Sequence, residues 1–518
     1  MTVLIAKLEA ETPGGATGVR LPIDDENADE PWKMPPSRRP RRPSITEPLP
    51  SEVEVVLADQ VYIDRNGLPS SLVAQLARIA AFQNPEFYRA QAMRLATYGK
   101  PRIVSCAELH VRHVGLPRGC LDEVTELLRS AGAKVKLKDE RHAGERFEVK
   151  FLGTLHDIQA AAVAAIEQHD YGVLAATTAF GKTVVGARMI AARGVNTLVL
   201  VHRRQLVDQW RERLKTFLSA EDRDIGTIGG GKRKPTGCID IALIQSLVRN
   251  GEVSDVVGNY GHLIVDECHH LSAVSFELVA RRSKARYVMG LSATVARKDG
   301  HHPIIFMQCG PVRFRVDAKS QAATRSFSHK VTIRETGFRL TPDLESQSPI
   351  QITSLYAALA RDEQRNARIF DDVLLSLEAG RRPVILTERR DHLDHFRDRF
   401  QKFTRNLVVL YGGMSATERR AAEDGLKRPD TEERLVLATG RYLGEGFDDA
   451  SLDTLFLTMP ISWRGTLAQY VGRLHREHHA KREVIVYDYV DSGVAMLARM
   501  ALKRQTGYRS LGYEIAAG

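Results

Sequence analysis

The sequence contains no run of apolar residues as long as the roughly 18 that a membrane-spanning helix requires. Its first residues include Glu9 and Glu11 and lack the apolar core of a secretory signal. No internal repeat with a period of about 20–50 residues is present, which argues against a solenoid. We therefore expect neither a membrane span, nor a secretory leader, nor a repeat architecture.

Cysteine is also scarce, with five residues in 518. These are Cys106, Cys120, Cys238, Cys268 and Cys309. Their number is odd and no Cys-x-x-Cys pair occurs, so neither a disulfide framework nor a structural zinc site is indicated. This cysteine usage fits a reducing, cytoplasmic environment.

Negative charge is outnumbered by positive charge. The chain has 74 Lys and Arg against 64 Asp and Glu, a formal net charge of +10. A basic balance favours a polyanionic partner, because Lys and Arg near phosphates release condensed counterions. Charge alone leaves two interpretations open: a nucleic-acid-binding protein, or a soluble protein that happens to be basic.

The pattern of apolar runs divides the chain into five parts. Residues 1–50, an acidic run followed by a Pro/Arg-rich run, predict a disordered tail. Residues 51–150 predict a small α/β accessory domain that is either structural or binds nucleic acid. Short β-rich runs alternate with helical segments across residues 151–320 and 349–518, which is typical of parallel sheets covered on both faces. The polar residues 321–348 are interpreted as a linker between these two lobes.

The first chemical motif is Ala-Thr-Thr-Ala-Phe-Gly-Lys-Thr, residues 176–183, between an apolar strand and a helical segment. A triphosphate needs a loop with inward amides, a cation for its β/γ oxygens and a hydroxyl for Mg²⁺. Lys182 and Thr183 supply the cation and the hydroxyl. Ala176 stands where the strict pattern has glycine, so the prediction depends on the strand–loop–helix context.

The second motif is an apolar strand that ends in Asp266 and Glu267. Asp266 is suited to hold Mg²⁺, and Glu267 to polarise the attacking water. Such a pair also occurs at plain surface turns, but the upstream loop favours the catalytic interpretation. The next strand is followed by Ser292-Ala293-Thr294, whose hydroxyls are suited to couple the nucleotide site to a polymer site.

The third motif lies far along the chain, where Arg473 and Arg476 are three residues apart. A helix would place both on one face, and two guanidinium groups suit the charge that spreads over a γ-phosphate during transfer. Alone, this pattern equally describes a solvated basic face. The other half of an ATP site upstream favours the arginine-finger role.

The ordered series LHDIQ, ATTAFGKT, VHRRQL, ALIQSL, DECHH, LSAT, TGRYLGEGFD and QYVGRLHR resembles the superfamily II helicases with DEAD/DEAH-type boxes. The series extends from about Leu155 to Asp491, and as an ordered set it is much more specific than any single member. The resemblance implies two RecA-like lobes with ATP bound in the cleft between them.

The resemblance also implies roles for individual residues. The nucleotide contacts it implies are Gln159 (which reads adenine), Thr178, Gly181, Lys182, Thr183, Gly446 and Asp448. The nucleic-acid contacts it implies are His202, Arg203, Arg204, Gln245, Ser246, Thr387 and Thr439. Separately, the basic loop 229–234 is interpreted as lying near a nucleic-acid backbone or as a plain surface loop, and Trp210 as part of a helical core.

Within the superfamily, the chain is most similar to the XPB-type branch, with related phage helicases and type III restriction motor subunits. It departs from the XPB group at Arg297-Lys298-Asp299, where that group has Arg-Glu-Asp. Only about forty residues separate Pro311 from Ile350, which leaves little room for a large thumb insertion. The segment 81–88 is also similar to helicases of bacterial conflict systems.

These features predict an ATP- and Mg²⁺-dependent helicase or translocase acting on double-stranded DNA, in repair, recombination or phage defence. The preference for DNA is implied by the resemblance alone. One alternative is the motor subunit of a restriction or defence complex that moves on duplex without separating its strands, with any nuclease on a partner subunit. The other is a nucleic-acid-binding subunit with an ATP switch.

Overall fold

The computed structural model describes residues 45, 47–268, 273–293, 303–323, 325–345, 350–429, 432–440, 449–461 and 464–517. The predicted tail therefore lies outside the described residues up to position 44. None of the helices within these ranges combines the length and apolar character needed to cross a bilayer.

The accessory domain is a mixed five-stranded sheet with helices on one face. Its strands are β1 Glu52–Leu57, β2 Val61–Asp64, β5 Glu108–Leu109, β6 His113–Leu116 and β7 Lys134–Asp139, with β3 Ala81–Gln83 and β4 Ile103–Ser105 as a separate pair. Its helices are α1 Ser70–Ile79, α2 Pro85–Ala92 and α3 Leu121–Ser130. The sheet order is β5-β6-β2-β1-β7. In β1, Val53, Val55 and Leu57 are buried and alternate with exposed or half-buried residues, as expected for a strand with one core-facing side.

A fully buried arginine attaches this domain to the lobe that follows. Arg118 is 1% exposed and lies in a 3₁₀ turn just before α3. It donates hydrogen bonds to the carbonyl oxygens of Ala280 (2.9 Å) and Ala285 (3.2 Å) and also contacts that of Ser283. It donates a further bond, within its own domain, to the carbonyl of Asp59 at 3.0 Å. A guanidinium buried among carbonyls is stable only while these acceptors surround it, so Arg118 fixes the domain on the lobe.

The first lobe is built on an eight-stranded sheet. Its strands are β8 Tyr171–Ala175, β9 Thr197–Val201, β10 Ile225–Gly229, β11 Lys232–Lys234, β12 Ile239–Leu243, β15 His262–Val265, β16 Tyr287–Ser292 and β17 Val312–Arg315, with β13 Val248–Arg249 and β14 Glu252–Val253 as a separate pair. Its helices are α4 Asp157–Glu167, α5 Lys182–Arg193, α6 Arg204–Phe217, α7 Ile244–Leu247, α8 Ala273–Arg282 and α9 Pro303–Cys309.

The order of this sheet is β11-β10-β12-β9-β15-β16-β8-β17, and only β11 runs antiparallel to its neighbour. The central strands β8, β9 and β15 are buried along their whole length. Strands covered on both faces are continuous apolar runs, which is why the sequence revealed them.

The second lobe is built on a seven-stranded, all-parallel sheet of order β20-β21-β19-β22-β23-β18-β24. Its strands are β18 Ser328–Glu335, β19 Pro383–Thr387, β20 Leu407–Leu410, β21 Leu435–Thr439, β22 Thr454–Leu457, β23 Glu483–Val490 and β24 Glu514–Ala517. The helices of this half are α10 Ala318–Ala323, α11 Pro342–Glu345, α12 Ile352–Arg361, α13 Glu363–Glu378, α14 Arg390–Phe400, α15 Ala416–Leu426, α16 Arg464–Leu474 and α17 Ala495–Ser510.

The structure corrects the predicted linker 321–348. Within that stretch, β18 is an integral strand that pairs with β23 over eight residues and with β24 on its other side. The sequence of β18, Ser-His-Lys-Val-Thr-Ile-Arg-Glu, is too polar to resemble a buried strand, although His329 and Val331 are buried. The predicted α/β class, with two tandem parallel-sheet lobes after a small α/β domain, is confirmed.

Candidate nucleotide site and nucleic-acid interface

The predicted phosphate loop joins the end of β8 to the start of α5. Gly181, at the N-cap of α5, has φ 86°, and Ala179 has φ 70°, so two left-handed residues turn the chain sharply into the helix. Amides at such a helix N-terminus point outward and attract phosphate oxygens. Thr183 follows Lys182 in the first turn of α5.

Lys182 brings the loop and the acidic strand end together. Its side chain is buried, and its Nζ lies 3.2 Å from the carbonyl oxygen of Ala176 and 3.2 Å from Glu267 Oε1. Glu267 follows β15 with φ 45°, a left-handed conformation that is unusual for a side chain of this size. The expected phosphate-binding cation and the expected base are therefore in direct contact.

Asp266 is held by an aromatic donor. Its Oδ2 accepts a hydrogen bond from Trp210 Nε1 at 2.7 Å, and its Oδ1 accepts one from the Glu267 amide at 2.9 Å. Burial, together with the charge of Glu267, raises the pKa of Asp266 to about 6, against the opposing effects of Trp210 and Lys182. Trp210 is buried on α6 as expected, but its bond to the carboxylate could not be predicted from the sequence.

Gln159 lies against the phosphate loop. Its Nε2 donates to the carbonyl of Phe180 at 2.8 Å, and its Oε1 accepts from the His156 amide at 3.1 Å as part of the capping box of α4. The buried amide is thus positioned beside the loop from a separate helix, next to Gly181, where a Cβ would come within 2.6 Å of Gln159 Nε2.

The segment that begins at Ser292 contacts the carboxylate of Glu267. Ser292 is buried at the end of β16, and the amide of Ala293 donates to Glu267 Oε2 at 3.3 Å. The predicted coupling segment is therefore in contact with the expected base. Thr294, Gly446 and Asp448, as well as residues 297–299, lie outside the described residues.

The second lobe reaches this site through α16. A Cβ placed on Gly472 would lie only 2.7 Å from Thr178 Cβ, so the helix backbone packs directly on the phosphate loop. The charge of Glu267 opposes the desolvation that lowers the pKa of Arg473, which places this guanidinium within electrostatic reach of the expected base. Burial and the nearby charge of Arg213, on α6 of the first lobe, lower the pKa of Arg476 to about 10. The structure thus brings both arginines to the face of the first lobe. The predicted shared helix face is wrong, because α16 ends at Leu474 and Arg476 lies two residues beyond it.

Five of the predicted nucleic-acid contacts gather at the carboxyl edge of the first sheet. Gln245 Nε2 donates to the carbonyl of His202 at 3.1 Å, which joins the ends of β9 and β12. A Cβ on Gly230 would lie 3.3 Å from the side chain of Arg204, and one on Gly229 would lie 2.7 Å from Ser246 Oγ. The glycine-rich hairpin loop therefore borders the same group, to which Arg203 also belongs by its position between His202 and Arg204.

The two predicted contacts on the second lobe differ in accessibility. Thr387 and Thr439 are paired neighbours at the ends of β19 and β21. Thr439 is half-buried, whereas Thr387 is 1% exposed and its hydroxyl lies 3.0 Å from His392 Nδ1 and accepts from the Arg389 amide at 3.3 Å. This placement does not support Thr387 as a direct contact with a polymer, because its hydroxyl points into the lobe.

Comparisons with known proteins agree with this architecture. The family described as "Type III restriction enzyme, res subunit" matches residues 152–297. A relative named DNA 3'-5' translocase XPB2, from Sulfurisphaera tokodaii, is 26% identical over 66% of this chain and 82% of its own length. A relative named DNA 3'-5' helicase XPB, from Mycobacterium tuberculosis, is 25% identical over 69% of this chain and 64% of its own length.

A solved structure shows the same fold. S. cerevisiae Dbp5 bound to RNA and ADP BeF3 superposes with a TM-score of 0.50 at 12% identity, covering 71% of this chain and 90% of that one. The fold is that of two RecA-like lobes. In sequence, the chain is similar to superfamily II helicases of the branch that contains the XPB helicases and the res subunits of type III restriction enzymes.

Proposed function

We propose that this chain is an ATP-dependent motor that moves on or unwinds double-stranded DNA, in repair, recombination or phage defence. The packing of Gly472 on Thr178 carries the proposal, because it sets the helix that carries Arg473 against the phosphate loop, with Arg476 two residues beyond the end of that helix. The relatives that are named as DNA helicases or translocases support the choice of DNA.

In the proposed site, each side chain has one role. Lys182 and the loop amides bind the β- and γ-phosphates, and Gln159 contacts adenine. Glu267 orients the attacking water and accepts its proton on a carboxylate oxygen. Arg473 and Arg476 balance the charge that develops on the γ-phosphate.

The residues present also fit a magnesium ion. Asp266 presents a carboxylate directly after β15, and Thr183 adds a hydroxyl oxygen. Oxygen ligands of this kind are what Mg²⁺ prefers. When bound, the ion neutralises charge on the phosphate oxygens.

The proposed cycle follows from the position of the arginines. While a γ-phosphate is present, Arg473 and Arg476 bind it and hold the second lobe against the first. Hydrolysis removes this link, so the lobes separate. A polymer bound at both carboxyl edges, near Arg204 and Thr439, is then advanced if each lobe changes its affinity with closure.

Replacement of Lys182 tests the nucleotide site. Lys182→Ala removes the cation for the β/γ oxygens and is expected to lower DNA-stimulated ATP hydrolysis by roughly 100-fold or more. Phosphate release is measured with single-stranded, duplex and forked DNA and RNA, with the exposed Lys402→Ala as the control. Near-normal turnover of Lys182→Ala would refute the site, and stimulation by RNA alone would refute the choice of DNA.

A second candidate function is translocation on duplex without strand separation, as the motor of a restriction or defence assembly with a separate nuclease subunit. The match to the type III res family and the relative named as a translocase favour it. Unwinding of forked DNA measured beside displacement of a triplex strand distinguishes the two. Triplex displacement without unwinding would select the translocase.

A further inference from the structure

The carboxyl edge of the second sheet holds a contact between three segments far apart in the sequence. Glu388 directly follows Thr387 at the end of β19, and Gly440 directly follows Thr439 at the end of the neighbouring strand β21. Tyr470 lies on α16, the helix that carries Arg473. The contact therefore joins the proposed polymer edge of this lobe to its nucleotide-facing helix.

A hydrogen bond between Tyr470 and Glu388 closes this contact. Tyr470 is buried, and its hydroxyl donates to Glu388 Oε1 at 2.9 Å. Burial and the charge of Glu388 raise the pKa of Tyr470 above its usual value, so the hydroxyl keeps its proton and stays a donor. A bond from a hydroxyl to a carboxylate is charge-assisted and stronger than one between neutral groups.

Gly440 leaves the room that this bond occupies. A Cβ on Gly440 would overlap both Glu388 Oε1 and the Tyr470 hydroxyl. Any larger residue there would displace the carboxylate or the hydroxyl. Glycine is needed here because Glu388 and Tyr470 approach the backbone closely. Backbone conformation does not require it, since the φ of Gly440 is not in the left-handed region.

The same helix meets the nucleotide site less than one turn further on. Gly472 packs on Thr178 of the phosphate loop, and Arg473, one turn after Tyr470, faces the first lobe near Glu267. A helix of this length is stiff, so a shift of Tyr470 is carried to Arg473.

We infer that the Tyr470–Glu388 hydrogen bond, in the space left by Gly440, couples the polymer edge of the second lobe to the position of Arg473. Tyr470 and Glu388 are positioning residues, which act on ATP turnover through Arg473 and on the polymer through the ends of β19 and β21. The inference rests on the proposed function, since it concerns the way nucleic acid stimulates hydrolysis.

Tyr470→Phe tests the link by removing one oxygen while keeping the ring. Basal ATP turnover and the KM for ATP are expected to stay within about twofold of wild type, while the stimulation by nucleic acid falls about tenfold or more, the loss expected for one charge-assisted hydrogen bond. Glu388→Gln, which weakens the acceptor, and Gly440→Ala, which displaces both partners, are expected to act in the same direction. The double variant Tyr470→Phe/Glu388→Gln is expected to lose no more than Tyr470→Phe, because both changes break one bond.

Tyr489→Phe is the matched control. The hydroxyl of Tyr489, on β23 of the same lobe, donates to Asp372 Oδ2 at the same distance of 2.9 Å and is buried, but Asp372 lies on α13 and belongs to neither site. Its removal is expected to leave the stimulation unchanged. Thermal unfolding of each variant verifies that the lobe is folded, and Glu388→Gln gives the result if Tyr470→Phe does not fold.

Three outcomes would overturn the inference. Unchanged stimulation in a folded Tyr470→Phe overturns the inference and leaves the proposed function intact. An equal fall in basal and stimulated turnover shows a purely local effect on Arg473 and also overturns it. A wild-type protein that hydrolyses ATP without any response to nucleic acid overturns the proposed function, and the inference with it.

Discussion

Lys481 is a buried cation in the segment that follows α16, the helix that carries Arg473. Its Nζ donates to the carbonyl of Leu474 at 2.8 Å and to that of Arg476 at 2.9 Å. Burial lowers its pKa to about 8. The last carbonyls of a helix lack partners within the helix, so this ammonium group fixes the backbone that presents Arg473 and Arg476.

We expect Lys481→Met to lower kcat for ATP by about tenfold with a smaller change in KM, because the arginines act mainly on charge that develops during transfer. Lys427→Met, an exposed lysine at the end of α15, is the control. Lys481→Arg, which restores the donors, is expected to recover part of the rate. A larger effect on KM than on kcat would contradict this role for Lys481.

At the scale of residues, the sequence predicted which side chains form the site better than it predicted their hydrogen-bond partners. Lys182, Glu267 and Arg473 were predicted from residue type and spacing. The structure pairs Lys182 with Glu267 and places Arg473 within electrostatic reach of Glu267. The bond from Trp210 to Asp266 could not be predicted, because it depends on how α6 packs beside β15. The inward hydroxyl of Thr387 was missed for the same reason, since a strand end does not show which way its side chain turns.

At the scale of elements, the contact between α16 and the phosphate loop can be disrupted to test whether hydrolysis requires the two lobes to meet there. Gly472→Ala adds a methyl group where only 2.7 Å separates the new carbon from Thr178 Cβ. The helix must move away, and Arg473 moves with it. We therefore expect nucleic-acid-stimulated ATP turnover to fall by about 10- to 100-fold, as displacements of about 1 Å in a catalytic group do.

Gly186→Ala on α5 of the first lobe is unsuitable as a control for Gly472→Ala, because a Cβ there meets the buried ring of Trp210 at 2.7 Å. Gly412→Ala is suitable, since nothing lies within 4 Å of its Cβ. Full activity of Gly472→Ala would show that hydrolysis does not require the lobes to meet in this way.

Elements covered on both faces could be predicted, and β18 could not. The strands β8, β9 and β15 of the first lobe are buried, largely apolar runs, whereas β18 mixes charged and apolar residues between β23 and β24. Such a strand becomes recognisable only with its partners, because pairing satisfies its backbone whatever the side chains are. The boundary of the second lobe was therefore predicted too late in the chain.

At the scale of the whole molecule, buried histidines predict sensitivity to acid. Burial lowers the pKa of His262 and of His392 to about 3 each. Between pH 6.5 and 3, the unfolded chain therefore binds protons at these sites that the folded chain does not, and stability falls as the pH falls. Each histidine is expected to cost about 1.4 kcal/mol of unfolding free energy per pH unit in this window.

Denaturant unfolding at pH 7.5, 6.5 and 5.5 measures this loss. His392→Gln keeps a polar group near Asn366 and Thr387. It is expected to reduce the loss of unfolding free energy per pH unit by the contribution of one histidine. The same dependence on pH in wild type and His392→Gln would contradict this assignment.

The attachment of the accessory domain to the first lobe could not be predicted from the sequence, because Arg118 binds backbone carbonyls more than 160 positions away. Carbonyl acceptors carry no signature of residue type. Two lobes and an added module could be recognised, but not their attachment.

That attachment has a mechanical consequence. Buried Arg118 and the carbonyls around it join the accessory domain to the first lobe. The accessory domain therefore moves together with the first lobe when that lobe rotates. The exposed surface of this domain, which includes Tyr98 at 98% exposure, therefore changes its position relative to the second lobe whenever the first lobe turns at the Thr178–Gly472 contact.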